Sequence, residues 1–92
     1  MIVSYRGKRT TDFVSEKRVK AFSGFERSAE NKLAQLDSAT ALADLRRPGN
    51  RLEVLKGDRK GCHSIRVNEQ WRIVFRWEGT DAHAVSLVDY HG

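Results

Sequence analysis

Asp89, Tyr90 and His91 follow one another near the end of the sequence, and their side chains can move protons or stack on bases. Together with Arg72, they are residue types that metal-independent RNA cleavage requires. When the RNA's own 2′-hydroxyl is the nucleophile, a base removes its proton, a cation stabilises charge on the phosphate, and an acid protonates the departing 5′-oxygen. Histidine titrates near neutral pH, and a guanidinium holds phosphate through two parallel hydrogen bonds. RNA cleavage is therefore the first hypothesis.

Each of these residues also has a simpler interpretation. Arginines on a strand are usually solvated, and Arg72 can instead cap an aromatic ring because it follows Trp71. His63 is predicted to be a core histidine with a satisfied hydrogen bond. On spacing alone, a protein that only binds nucleic acid is favoured over a nuclease. The sequence has no Asp, Glu, His or Cys cluster at ligand spacing, so it predicts neither a metal nor a cofactor.

The positive charge is concentrated in one third of the chain. The 92 residues carry a net charge of +5, with a pI near 9.8. Residues 46–76 contain nine basic and three acidic residues, which gives this segment +6 and leaves the remainder at −1. The basic residues are Arg46, Arg47, Arg51, Lys56, Arg59, Lys60, Arg66, Arg72 and Arg76. Such a localised field favours a polyanion: nucleic acid, a ribosome or an acidic protein.

The composition predicts one soluble domain, residues 1–92, with the cytoplasm as its default location. Hydrophobic residues make up 39% and charged residues 32% of the sequence, which is typical of a globular protein. No apolar run approaches the length of a membrane span, and the N-terminal residues lack the apolar segment of a signal peptide. Cys62 is the single cysteine, so no internal disulfide is expected.

The first half of the chain is predicted to be helical. One helix is expected over residues 9–19, with Thr10 or Thr11 as its cap, and a second over residues 23–39, with Ser23 as its cap. In the second helix, apolar residues at spacings of four, four and three form one stripe: Phe25, Ala29, Leu33 and Leu36. A third, short helix is expected to end before the Pro-Gly pair of RRPGN.

Strands are predicted at residues 2–5, 51–56, 62–67, 71–77 and 82–90. This order indicates an α+β fold, in which two or three helices pack on one face of an antiparallel sheet. Alternation puts Trp71 and its neighbours of the same parity on the helix side. It puts three arginines on an opposite, open face: Arg66, Arg72 and Arg76. In a regular last strand, Asp89 and His91 would point one way and Tyr90 the other.

The stretch RLEVLKGDRKGCHSIRVNEQWRIVFRW and the later VDYH resemble the HigB-type toxins of bacterial toxin–antitoxin systems, which belong to the RelE-like superfamily. The similarity extends over nearly the whole chain and includes KLAQLDSAT and DLRRPGN. It implies an α+β fold and an endoribonuclease that enters the A site of the small ribosomal subunit and cuts messenger RNA during translation. It also implies a HigA-type antitoxin with a helix-turn-helix domain, and binding of operator DNA only as the toxin–antitoxin complex.

The resemblance further assigns roles to residues. Arg72 matches a phosphate-stabilising arginine, and Lys56 a lysine that aids it. The C-terminal catalytic or substrate-contacting group is matched by Asp89, Tyr90 and His91. Glu53 stands where some relatives have a histidine, and a carboxylate there can act as a base but brings no positive charge to phosphate. The base is thus expected to be Glu53, Asp89 or His91, and the acid to be His91.

The outer basic residues are expected to dock on ribosomal RNA, mostly through its phosphates. They are Arg46, Arg47, Arg51, Arg59 and Lys60, and Arg66 is a further candidate contact. The catalytic hypothesis requires the C-terminal triplet to share one pocket with the Arg72 guanidinium. Two alternatives remain: a non-catalytic nucleic-acid binder, and an interaction module whose basic face receives an acidic protein.

Overall fold

The computed structural model describes residues 1–89, which form a four-stranded antiparallel sheet and helices that pack on it. The α-helices are α1, Lys8–Val14, and α2, Glu26–Ser38. The strands, which lie in this order in the sheet, are β1, Glu53–Val54; β2, Cys62–Arg66; β3, Trp71–Glu78; and β4, Asp81–Asp89. Short 3-10 turns occur at Lys20–Phe22, Leu42–Leu45 and Gly57–Arg59. The predicted α+β architecture is confirmed. Neither helix of the described chain has the length and apolar character that a membrane crossing needs.

The apolar stripe of α2 packs on the sheet as predicted. Ala29, Leu33 and Leu36 are buried in one cluster with the apolar residues of β2, β3 and β4. Phe22, in the preceding 3-10 turn, is fully buried and meets the Trp71 ring edge-on, with 5.2 Å between the ring centroids. Each fully buried Leu or Phe contributes roughly 1.5–3 kcal/mol of transfer free energy. This cluster therefore fixes which face of the sheet the helices cover.

The helices do not begin at the predicted cap residues. The residue before α1 is Gly7, whose φ of +90° suits glycine, and Thr10 lies inside the helix. The buried Thr10 hydroxyl accepts a hydrogen bond from the Leu87 N–H at 3.0 Å. α2 begins after Phe25 instead of Ser23. Hydroxyl residues favour caps in general, but here a contact to β4 gives the Thr10 hydroxyl another partner.

α1 also ends at Val14, well before the predicted end at residue 19. Glu16 adopts a left-handed φ of +66°. Its N–H donates to the Phe13 carbonyl at 3.1 Å, and the Lys17 N–H donates to the Asp12 carbonyl at 2.9 Å. These two bonds close the helix as a Schellman motif, which usually has glycine at the left-handed position. With glutamate there, the sequence gives no signal for the helix end.

Two of the predicted strands are shorter than expected. Residues 2–5 make only two isolated parallel bridges to β4, through Ile2 and Tyr5. The predicted strand over residues 51–56 is reduced to the two residues of β1. Arg51, just before β1, has a φ of +44°, which is incompatible with an extended strand. The chain therefore turns sharply before it joins the sheet.

Candidate active site

Strand pairing divides the sheet into a helix-covered face and a second face. The second face carries Glu53, Ser64, Arg66, Arg72, Val74, Arg76, Ser86 and Val88. The prediction that its arginines lie in the open is wrong for Arg72, which is only 7% exposed, and Ser64 and Val74 are buried as well. The Arg51 carbonyl, at the bend before β1, accepts a hydrogen bond from Arg72, and β1 itself extends the sheet beside β2. Arg76, further along β3, is exposed.

The Arg72 guanidinium is held by acceptors on neighbouring segments. Its Nε donates to the Ser64 hydroxyl at 2.7 Å, and its Nη2 donates to the carbonyl oxygens of Ser64, at 3.3 Å, and of Arg51. Burying a charge is costly unless it is hydrogen-bonded in this way. These bonds fix the position of the guanidinium. A fixed guanidinium can stabilise developing negative charge without reorganising first.

Glu53 is the carboxylate that the fold brings to Arg72. β1 pairs Glu53 with Ser64, which places it on the second face. The Glu53 Oε1 lies 3.9 Å from the Arg72 Nη1. The Glu53 side chain is 48% exposed, whereas that of Arg72 is 9% exposed. The pair therefore combines a buried cation with a carboxylate that solvent and a ligand can reach.

The C-terminal triplet is described only at Asp89. β4 pairs Asp89 with Trp71, so its side chain leaves the sheet on the face opposite Arg72. The Asp89 carboxylate accepts a hydrogen bond from the Gln70 Nε2 at 3.0 Å. Asp89 and Arg72 therefore occupy register positions on opposite faces, because adjacent positions alternate, and the pocket shared by the triplet and Arg72 stays a prediction. Tyr90 and His91 lie outside the described residues.

A cavity of about 500 Å³ opens on the second face, next to Val74 and Val88. Its floor consists of strand residues and one wall consists of the turn after β1. The lining residues are Arg6, Asp58, Arg59, Cys62, Val74, Arg76, Ala84, Ser86 and Val88. Three arginines and one aspartate give this lining a positive balance around an apolar floor. Of these arginines, Arg6 was missed, because no local pattern links it to the distant sheet.

The positive field of this cavity is partly neutralised at Arg76. The Arg76 Nε donates to the Glu78 carboxylate at 2.8 Å, and this bond holds the pKa of Glu78 below its usual range. Arg6 and Arg59 are therefore the stronger anchors for an anion. No group of three or more His, Cys, Asp or Glu side chains within residues 1–89 is arranged to hold a metal ion.

A second basic depression, the docking groove, has a volume of about 620 Å³ at the β1 edge of the sheet. It is lined by Leu42, Arg46, Arg47, Pro48, Arg51, Leu52, Val54 and His63. The fold thus brings together three of the arginines predicted to dock on RNA. The His63 ring stacks on Phe75 with 6.0 Å between centroids. Its buried Nδ1 has no hydrogen-bond partner among the described residues. The prediction that this histidine has a satisfied hydrogen bond is therefore wrong at Nδ1.

The remaining predicted contacts are scattered. Lys56 and Lys60 are exposed at either end of the turn Gly57–Arg59. Arg66 is half-buried, and its Nε donates to the Asn68 carbonyl at 3.1 Å. The structure therefore divides the predicted RNA contacts between the cavity, the docking groove and this turn.

The largest of these concave regions has the opposite charge. A cavity of about 660 Å³ beside α1 and α2 is lined by four acidic and two basic residues together with apolar ones. The charged residues are Glu16, Lys17, Arg18, Glu26, Glu30 and Asp37. Burial and the nearby Asp37 carboxylate raise the pKa of Tyr5, which also lines this cavity. A polyanion is therefore expected to bind the second face and the docking groove.

Sequence comparison relates the chain to toxins. Residues 5–91 match the family model described as "RelE-like toxin of type II toxin-antitoxin system HigB". The chain is 52% identical to Toxin HigB-1 of Vibrio cholerae over 56 residues, which cover 60% of this chain and 59% of that toxin. It is 41% identical to Endoribonuclease HigB of Proteus vulgaris over 61 residues, which cover 66% of each protein. In both cases the match spans less than two thirds of the relative's length.

Solved structures with a similar fold include a chain of a toxin–antitoxin complex. A YafQ mutant from E. coli matches with a TM-score of 0.68 at 11% identity, over 97% of this chain and 93% of YafQ. A heterotetrameric YoeB–YefM toxin–antitoxin complex from Staphylococcus aureus contains a chain that matches with a TM-score of 0.62 at 17% identity, over 100% of this chain and 99% of that one. At these identities the matches establish the RelE-like fold.

Proposed function

This chain belongs to the HigB-like family of RelE-like toxins from type II toxin–antitoxin systems, and from this premise we propose that it is an endoribonuclease that cuts messenger RNA on the ribosome without a metal. The observation that carries the proposal is the pairing of Glu53 with the buried Arg72 on a positively charged face of the sheet. The relative from Proteus vulgaris is named an endoribonuclease, which supports the same activity here.

In the proposed reaction, Glu53 removes the proton of the 2′-hydroxyl, and the resulting oxygen attacks the adjacent phosphorus. Arg72, aided by Lys56, stabilises the charge on the phosphorane. The bond to the 5′-oxygen then breaks, and His91 protonates that oxygen. The products are a 2′,3′-cyclic phosphate and a 5′-hydroxyl. Tyr90 is assigned to stack on a base at the cleavage point.

Glu53 is a better candidate for the base than Asp89. Both are carboxylates, but Glu53 lies on the face of Arg72 and Asp89 on the other. Proton uptake also neutralises Glu53 while negative charge grows on the phosphate. The Arg72 guanidinium is then attracted more strongly to the phosphate than to its former partner, so the two events reinforce each other.

The basic surfaces are proposed to position the toxin on the ribosome. The docking groove and the turn Gly57–Arg59 would bind phosphates of ribosomal RNA in the A site, without reading sequence. A site with few catalytic groups depends on a substrate held in line by another surface. We therefore expect naked RNA to be cut poorly.

The proposed partner is an antitoxin of HigA type with a helix-turn-helix domain. Membership of a toxin–antitoxin family supports an antitoxin partner, and the YoeB–YefM structure is itself a toxin–antitoxin complex. Operator DNA would be bound only through that complex. We propose the cytoplasm as the location, since translating ribosomes are there, and one toxin domain over residues 1–92.

To test this proposal, purified protein is added to ribosomes that are translating a defined message, and the 5′ ends of the fragments are mapped. A parallel reaction contains the same message without ribosomes. Arg72→Ala is expected to cost about 2 kcal/mol or more of transition-state stabilisation, roughly a 30-fold loss of rate. His91→Ala should slow cleavage comparably, whereas Arg27→Ala, an exposed arginine on α2, should not. Unchanged cleavage by both site variants would overturn the assignment.

A non-catalytic RNA binder is the second candidate, because the docking groove alone could hold a polyanion. Such a protein would bind ribosomes in a strongly salt-dependent way and leave the message intact. The same incubation distinguishes the two, since binding without new 5′ ends would favour this alternative.

A further inference from the structure

Asn50 is a fully buried polar residue whose side-chain nitrogen and oxygen both have hydrogen-bond partners. Its Nδ2 donates to the Gln35 Oε1 at 3.1 Å and to the Leu45 carbonyl at 3.0 Å. Its Oδ1 accepts a hydrogen bond from the Lys32 ammonium. Asn50 therefore ties α2 and the turn Leu42–Leu45 to the segment that leads into β1. An apolar residue of similar size could make none of these bonds.

The backbone of Asn50 is fixed as well. Its N–H donates to the Arg47 carbonyl at 3.1 Å, and its carbonyl accepts from the Arg66 N–H of β2 at 2.6 Å. The next residue, Arg51, has a left-handed φ of +44°. A residue with a side chain adopts this conformation only where its surroundings impose it. The bonds on either side of the Asn50 peptide unit provide that constraint.

The constrained bend at Arg51 is in direct contact with the candidate catalytic arginine, Arg72. The Arg51 carbonyl accepts a hydrogen bond from the Arg72 Nη2. We infer that Asn50 is a positioning residue for Arg72: it holds the Arg51 carbonyl in place, and this carbonyl aims the guanidinium at the scissile phosphate. The inference rests on the proposed function, because it assigns Asn50 to the same catalytic site.

This arrangement separates the positioning bonds from the reacting edge. The Nε and Nη2 of Arg72 face Ser64 and Arg51, while its Nη1 lies nearest Glu53. If the Arg51 carbonyl shifts, the guanidinium can rotate away from Glu53 without leaving the site. Small displacements of this kind lower the rate of the chemical step more than they weaken substrate binding.

The experiment is a double-mutant cycle on ribosome-bound message. Asn50→Ala should lower kcat roughly 10- to 100-fold with little change in KM, as expected for a misplaced catalytic group. In an Arg72→Ala background the same change should have almost no further effect, because its target is gone. An equal fold-loss in both backgrounds would mean that Asn50 only supports the fold, and would overturn the inference.

Lys32→Met provides a second variant if Asn50→Ala folds poorly. Lys32 is half-buried on α2, and the change removes the ammonium that donates to the Asn50 Oδ1. It should lower kcat less than Asn50→Ala does, and it too should have almost no effect in an Arg72→Ala background. Thr10→Val is the matched control, since it removes a buried hydroxyl that bonds to the backbone N–H of Leu87 and not to Asn50. It should lower thermal stability without lowering kcat at temperatures where the protein is folded.

A readout without RNA separates this inference from the proposed function. In nitrogen-labelled protein, the Arg72 Nη2–H that donates to the Arg51 carbonyl should exchange slowly with solvent in the wild type and in Thr10→Val, and quickly in Asn50→Ala, whereas the Nε–H that donates to Ser64 should exchange slowly in all three. Slow exchange of the Nη2–H in Asn50→Ala would overturn the positioning role even if the wild type cleaves RNA. Absence of cleavage by the wild type, together with the expected exchange pattern, would instead overturn the proposed function and retain the link between Asn50 and Arg72.

Discussion

The Arg72 Nη1 lies 3.9 Å from the Glu53 Oε1, although the two residues come from strands that are separated by β2. A guanidinium that stabilises a phosphate would ordinarily be expected to have its outer edge available to an anion. Here a carboxylate already lies near that edge. Substrate must therefore compete with Glu53 for Arg72, unless Glu53 takes up a proton as the reaction proceeds.

This relationship makes Glu53→Gln the most informative change at the site. The amide keeps the size of the side chain but cannot accept the 2′-hydroxyl proton, so cleavage should fall by about 10²- to 10⁴-fold. Binding to ribosomes should be equal or tighter, because a negative charge beside Arg72 has been removed. Single-turnover cleavage and co-sedimentation with ribosomes measure the two effects.

The matched control for this prediction is Glu69→Gln, an exposed carboxylate in the loop between β2 and β3. It changes the net charge equally and should leave the cleavage rate as it is in the wild type. Retention of full cleavage by Glu53→Gln would exclude Glu53 as the base and return that role to the C-terminal residues.

Arg72→Lys should impair both stability and cleavage, although it conserves the charge. A lysine ammonium lacks the planar fork and cannot reach both the Ser64 hydroxyl and the Arg51 carbonyl. A buried acceptor left without a donor costs about 1–3 kcal/mol, so the free energy of unfolding should fall by this amount. Urea titration measures this loss, and cleavage should fall at least as far as in the Asn50 variant. Full activity in Arg72→Lys would show that only the charge matters.

The fold followed from the sequence because its signals are local and repeated. The spacing of Ala29, Leu33 and Leu36 specifies a helix face, and the alternation in β3 specifies a half-buried strand. The exact ends were harder to predict. Glu16 in a left-handed conformation ends α1 without a glycine, and the strained Arg51 shortens β1.

The site was only partly predictable, because its partners come together through register. Arg72 and Glu53 were named from the sequence, yet nothing local shows that Ser64 and the Arg51 carbonyl would bury the guanidinium. Asn50 was missed as a candidate because asparagine after Pro-Gly normally indicates only a turn. Its burial depends on the packing of α2 against the segment before β1.

Neutralising the docking groove should weaken ribosome binding in a way that depends on salt. In Arg46→Gln/Arg47→Gln, the slope of log affinity against log salt should decrease by about one unit for each phosphate that the variant no longer binds. The rate of cleavage in saturated complexes should change little, because the two arginines are assigned to docking and not to the chemical step. Co-sedimentation at several salt concentrations measures the slope. Arg18→Gln, at the acidic cavity, is the control, and an identical slope in both proteins would exclude the groove as a docking surface.

Low pH should weaken the support that the Asp44 carboxylate gives to the turn Leu42–Leu45. The Asp44 carboxylate accepts hydrogen bonds from the Thr40 and Ala41 N–H groups, at 2.9 and 3.1 Å. These bonds, the Thr40 N–H first, hold the pKa of Asp44 below its ordinary value of 3.8. They organise the start of the turn Leu42–Leu45, whose last carbonyl accepts a hydrogen bond from Asn50.

The sign of the pH effect follows from this lowered pKa. The carboxylate stabilises the folded state fully above pH 3.8, and this contribution disappears as pH falls through the lower, folded-state pKa. Asp44→Ala should therefore be less stable than the wild type by a constant amount at neutral pH, and the difference should shrink below pH 3.8. Urea titrations of both proteins at a series of pH values measure the difference. A gap that stays the same down to the lowest pH would mean that the ionised carboxylate does not hold this turn.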